Sequence, residues 1–200
     1  AMLAMARRFS AWAPNIAVKL PVTAAGLDVL EECAAEGITV TATISFGVSQ
    51  ALAVAERYQR GLARARAAGV TPGRCFAVIM IGRLDDYLHD VALDARSPAS
   101  EADIRQAGLA VTKRAYALYR ERGYEAVLLV AALRGVHHMV ELAGADLIMS
   151  IHPKVQQLLL APGIPREERI DAPVPPEVIA RLRSLPEFVR AYEPDGLVPT

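Results

Sequence analysis

The chain has 200 residues, 53% of them hydrophobic, which is enough for one sizeable core and too few for a second full domain. Basic and acidic residues balance at 22 each. That excludes broad electrostatic attraction to nucleic acid or an anionic membrane and leaves room for a small anionic substrate held by local arginines.

In chain order, Met2–Trp12 reads as a helix whose basic pair, Arg7-Arg8, follows the apolar residues, unlike a secretory signal. Ile16–Leu20 reads as a strand ended by Pro21. Thr23 is placed to N-cap a helix to about Ala35, with Gly37 just past its end. Ile38–Phe46 is a strand rich in β-branched residues. Ser49 is placed to cap a long helix to about Ala68. Cys75–Ile81 is an apolar strand, and Gly82–Asp94 a turn with a short helix. After a polar break at Arg96–Ala99, Glu101–Arg122 reads as one helix. Ala126–Ala131 is a strand, Val136–Ala143 a helix, Leu147–Ile151 a strand, and Pro153 opens another helix. Helices at Pro176–Ser184 and Glu187–Ala191 close the pattern.

Strands apolar on both faces and separated by helices imply a parallel sheet covered by helices. Five such units fit either a doubly wound sheet or part of a (β/α)₈ TIM-type barrel. No GxGxxG or P-loop pattern supports nucleotide binding, and no apolar run approaches the roughly 20 residues of a membrane span. Cys33 and Cys75 lack metal-type spacing and read as packed thiols in a reducing, cytoplasmic compartment.

Among three lysines, Lys19 stands out, because it lies between Val18 and Leu20 on an apolar strand in a chain that otherwise uses arginine. Burial disfavours the charged ammonium and supplies the neutral amine that attacks a carbonyl to form a Schiff base. The alternative is a strand-end lysine that reaches solvent or pairs with a carboxylate. Thr39, Thr41 and Thr43 share one strand face by the period of two; hydroxyls there could hold a catalytic water, or reflect only β-propensity. Arg83 and Arg134 both lie just past strand ends, the edge where parallel α/β folds bind ligands, and a guanidinium suits phosphate; either could also be a surface arginine. His137, His138 and His152 show no ligand spacing, so no metal is expected. Asp85-Asp86 reads as a partner for Arg83 or a helix cap.

These residues sit in a familiar setting. Asn15–Leu27 (NIAVKLPVTAAGL) resembles the lysine segment of the transaldolase family. Gly37–Phe46 with Gln50-Ala51, Gly82–Asp86 (GRLDD), Ala131–Arg134 and Leu142–Asp146 (LAGAD) are similar to the segments that follow in that family, in the same order, from about Asn15 to Leu160. Arg57–Gly69 looks like the longer helix of its larger members.

The resemblance implies a (β/α)₈ barrel, incomplete here at about five units over residues 1–200, without a cofactor. It implies transfer of a dihydroxyacetone unit between sugar phosphates in the pentose phosphate pathway, through a Schiff base. Lys19 matches the Schiff-base position, Thr43 the threonine that helps hold the water, and Arg134 and Arg83 the phosphate-binding arginines. Thr41 stands where the family has asparagine, Val78 and Ala132 where it has serine, and Gly47 where it has the serine of "FS". The family's acid/base carboxylates lie on strands upstream of the lysine strand, and a final helix follows the region of Tyr192–Thr200. The expectation is therefore either a fragment of a longer gene product or a partial barrel whose open edge beside Ile16–Leu20 is covered by a second copy. Two rival readings are an aldolase that releases free dihydroxyacetone and a relative that binds sugar phosphate without turnover.

Overall fold

The computed structural model describes residues 1–197, and the last three positions of the Tyr192–Thr200 stretch lie outside the described residues. The elements are α1 (Met2–Ser10), β1 (Val18–Pro21), α2 (Ala24–Ala35), β2 (Val40–Thr43), α3 (Val48–Ala67), β3 (Cys75–Met80), α4 (Ile81–Ala95) and α5 (Glu101–Ile104). There follow α6 (Ala107–Glu121), β4 (Val127–Ala131), α7 (Val136–Glu141), β5 (Ile148–Met149), α8 (Pro153–Leu159), α9 (Pro176–Leu182) and α10 (Pro186–Tyr192).

The five strands are all parallel, in the spatial order β1-β2-β3-β4-β5. A doubly wound sheet reverses direction at a switch point. Strictly sequential order is how a barrel wall is built, so of the two architectures compatible with the sequence the barrel type is the one formed.

Strand alternation sorts the side chains. Val18, Leu20, Val40, Ala42, Cys75, Ala77, Ile79 and Leu128 enter the main core with Leu27 and Leu30 of α2 and Val54 and Leu62 of α3. The other face carries Lys19, Thr41, Thr43, Phe76, Val78, Val127, Leu129 and Ile148. With five strands this concave face is only partly covered, and Ile148 is 37% exposed.

Several boundaries differ from the sequence reading for identifiable reasons. β2 stops at Thr43 because Ile44 adopts φ 63°, yet the next residue still serves the sheet, as the Ser45 carbonyl accepts the Met80 N–H at 3.0 Å. Thr23 caps α2 as expected, accepting the Gly26 N–H at 3.1 Å. Ser49 is not the cap of α3: Gly47 is, and the Gln50 side chain accepts the N–H groups of Phe46 and Gly47. Residues 82–94 form no turn, since α4 starts directly at the end of β3. The expected single helix over 101–122 is broken: the Gln106 N–H turns to the Asp103 carbonyl, three residues back, and the Gly108 N–H goes to Oδ1 of Asp85 instead of to Ile104. No helix among the described residues is long and apolar enough to cross a membrane.

Candidate functional site

Lys19 lies mid-strand in β1, directly opposite Thr41 of β2, and Thr43 lies two residues further on, opposite Pro21. The three side chains therefore share the concave face, Lys19 and Thr41 about 4.8 Å apart across the strands. Thr43 is buried and Thr41 half-buried. Lys19 itself is exposed, which corrects the expectation of a buried amine. Its neighbours Val18 and Leu20 are buried by the helices, whereas the cover on the opposite face reaches Thr43 and Val78 but leaves Lys19 exposed. Thr39 is occupied structurally, its hydroxyl accepting the Arg74 N–H at 3.1 Å.

Arg83 and Arg134 both stand at the C-terminal ends of strands, Arg83 in the first turn of α4 and Arg134 in the β4–α7 loop. Arg83 is exposed and lines a cavity of about 340 Å³ with Phe46, Tyr87 and Arg190. Arg134 lines a neighbouring cavity of about 390 Å³ with Asp85, Asp86, His89 and Arg105. The two arginines thus do not share one pocket, although both act on Asp86. Arg134 bonds that carboxylate through Nε at 3.0 Å and through its terminal nitrogen. Its hydrogen bonds, ahead of the nearby charge of Arg83, hold the Asp86 carboxyl below the usual carboxylate range. Arg134 also donates to the Ala132 carbonyl at 2.8 Å. A guanidinium has five N–H groups, so two remain for a ligand.

The sequence reading paired Asp85-Asp86 with Arg83 or with a cap. Instead Asp86 serves Arg134, and Asp85, only 7% exposed, pairs with His138 at 3.0 Å. His138 is fully buried. Sequence reasoning treated it as merely structural; the available signal was its position four residues after Arg134. Ala132 has φ 59°, a left-handed conformation that costs a residue with a Cβ about 1–2 kcal/mol. Ile44 and Ala132 each immediately follow the last residue of a strand, β2 and β4. Backbone strain of this kind concentrates at functional strand ends.

The remaining candidates have structural duties. His152 caps α8 by accepting the Lys154 N–H at 3.3 Å. Among the described residues no group of three His, Cys, Asp or Glu side chains could hold a metal. A cavity of about 690 Å³ between α6 and the chain after Ile170 lies away from all these residues. Its cations are neutralised locally: Lys113 by Glu141, Arg114 by Glu193 and Arg120 by Asp171.

The model of one protein family, described as transaldolase/fructose-6-phosphate aldolase, matches residues 1–185. The chain belongs to this transaldolase/fructose-6-phosphate aldolase family. Among its relatives, a probable transaldolase of Dehalococcoides mccartyi is 28% identical over 163 residues, covering 80% of this chain and 61% of the relative. A probable transaldolase of Caulobacter sp. (strain K31) is 34% identical over 150 residues, 74% of this chain and 54% of the relative. The transaldolase of Mycobacterium bovis (strain BCG / Pasteur 1173P2) is 36% identical over 111 residues, 54% of this chain and 30% of the relative. The chain thus spans less than two thirds of the length of each of these curated relatives.

Proposed function

We propose that this chain carries the Schiff-base half of a transaldolase-type site. The Lys19 amine attacks the ketone of a sugar phosphate to give a carbinolamine, which loses water to form the iminium. The hydroxyl on the carbon after the next then gives its proton to solvent water as the bond between those two carbons breaks, the electron pair passing into the iminium to leave a dihydroxyacetone enamine and the departing aldose phosphate. An acceptor aldose takes up the enamine, and water hydrolyses the product from Lys19. Thr43 is assigned to hold that water, Thr41 to a substrate hydroxyl, and Arg134 and Arg83 to the phosphate. The observation that carries the proposal is the register of Lys19 against Thr41, with Thr43 one step above on the same face. Family membership supports it.

The same proposal takes residues 1–200 as one partial barrel domain in a cytoplasmic setting, working on sugar phosphates in the pentose phosphate pathway. It also has a second copy covering the open sheet edge beside β1. The free, buried Cys33 and Cys75 support the setting. The test is borohydride reduction of the intact protein with fructose 6-phosphate, followed by peptide mass spectrometry. An adduct on Lys19 is expected; an unmodified Lys19 under saturating sugar removes the catalytic reading. A second reading, sugar-phosphate binding without turnover, is favoured by the exposure of Lys19. It expects tight binding and no adduct. Release of free dihydroxyacetone without an acceptor would instead mark an aldolase.

A further inference from the structure

Arg134 is held from two directions. Asp86 grips its guanidinium, while its backbone N–H donates to Nδ1 of His138 at 3.2 Å. That bond sets the ring's tautomer, because a neutral imidazole that accepts at Nδ1 carries its proton on Nε2. Nε2 therefore donates to Oδ2 of Asp85, 3.0 Å away. Oδ1 of Asp85 in turn accepts the Gly108 N–H at 2.8 Å. His138 is 0% and Asp85 7% exposed, so a buried chain of bonds runs from the start of α6, through α4, to the backbone of Arg134. The left-handed Ala132 sits just before this anchor.

We propose that His138 is a positioning residue for phosphate recognition: it pins the Arg134 backbone so that the two guanidinium N–H groups left free by Asp86 and Ala132 face a single phosphate. The inference rests on the reading of Arg134 as the phosphate ligand. His138 does not itself touch substrate. Asp85 acts behind it by fixing the tautomer that accepts from Arg134.

Two substitutions separate this role from plain packing. In His138→Asn the side-chain oxygen takes roughly the place of Nδ1, keeps the acceptor for Arg134 and abandons Asp85. In His138→Gln the side-chain amide takes roughly the place of Nε2, keeps the donor to Asp85 and abandons Arg134. The probe is calorimetric titration of the intact protein with fructose 6-phosphate, with thermal unfolding in parallel. Arg134→Ala and His138→Gln should each weaken binding on the order of tenfold, the size of one lost hydrogen bond at a charged ligand. The double variant should bind no worse than Arg134→Ala alone. His138→Asn should melt earlier yet bind within about threefold of the wild type, well inside one such bond. A purely structural histidine predicts the reverse ranking, with Gln tolerated and Asn not. Tenfold loss in Arg134→Ala beside full affinity in His138→Gln overturns this inference and leaves the phosphate reading standing. No binding by the wild type, or wild-type affinity in Arg134→Ala, removes both. If His138→Gln does not fold, His138→Asn decides: a loss equal to that of Arg134→Ala overturns the inference.

Discussion

Gly82 opens the GRLDD segment and holds α4 against the β4–α7 loop. A Cβ at this position would lie 2.2 Å from the Ala132 carbonyl oxygen and 2.5 Å from Cγ of Arg134, against the 3.0 Å that Cβ atoms keep. Relieving the carbonyl contact alone needs a movement of about 0.8 Å. The loop cannot yield cheaply, because Arg134 is tied to Asp86 by its side chain and to His138 by its backbone. Overpacking of this kind costs about 1–3 kcal/mol. Strain passed to the Arg134 bonds adds to that cost. The better helix propensity of alanine returns up to about 1 kcal/mol. Gly82→Ala should therefore destabilise the fold by about 2 kcal/mol, which at this chain length is a fall in Tm of about 4–8 °C. Calorimetry or near-ultraviolet circular dichroism reads it directly, and fructose 6-phosphate affinity should fall alongside. Gly69→Ala is the control: its φ is 69° with nothing within 4 Å, so it carries only the left-handed penalty of about 1–2 kcal/mol and should leave the affinity unchanged. A Gly82→Ala protein that melts with the wild type and binds sugar phosphate equally well would refute the close-packing argument.

Asp103 is buried and takes two bonds from Ser100 and two from Arg181, whose side chain is 43% exposed. Asp103→Asn should cost about 2 kcal/mol, less than the 3–5 of a wholly buried pair. Arg181 first, then Ser100, holds this carboxyl well below the usual carboxylate range. Its contribution is complete above the unfolded pKa of about 4 and is lost as pH falls below it, so acid unfolding should be less steep in Asp103→Asn. Burial, then the neighbouring His138 and Arg105, pushes His137 down from 6.5 to about 4. The folded ring stays neutral where the unfolded one protonates, so stability should drain away as pH falls from 6.5 towards 4. After discounting for partial exposure this amounts to about 1–2 kcal/mol, and His137→Gln should flatten that window in denaturant titrations at pH 7 and 5. Lys113 is 10% exposed and donates to the carbonyls of Arg169 and Ala172 at 2.9 and 2.6 Å. Lys113→Met should cost about 2 kcal/mol and expose Arg166 or Arg169 to earlier tryptic cleavage.

What could be read from the sequence was local. Whereas the place of Lys19 opposite Thr41 comes from the register between β1 and β2, the period of two put Thr41 and Thr43 on one face of their strand, because alternation needs only the strand itself. Thr23 announced its helix for the same reason. Pairings across the fold were not legible. Asp86 meets Arg134 48 residues away and Asp85 meets His138 53 away, whereas a bare sequence offers Arg83 as the nearest partner. Ser49 looked like a cap because hydroxyls usually are, but α3 begins at Val48 after the extended Gly47, so Ser49 already lies within its first turn. The break between α5 and α6 carries no proline or glycine at Arg105-Gln106; there the Gly108 N–H is taken by Asp85, 23 residues away on α4.

The exposure of Lys19 has the same non-local origin, and it sets a chemical condition. Schiff-base attack needs the neutral amine, and removal from water is what favours it. Within one chain Val18 and Leu20 turn into the core while the amine between them keeps its hydration. A surface laid on the concave face would cover Lys19 together with Val127, Leu129 and Ile148 in one step. If that surface belongs to a second copy, the yield of borohydride-trapped adduct per chain must rise with protein concentration, following the dimer fraction in sedimentation. The rise should be on the order of tenfold, the consequence of a single unit in the pKa of an amine. A yield that stays flat while the dimer forms would show that the second copy docks elsewhere and that Lys19 reacts, if at all, as the exposed side chain it is in one chain.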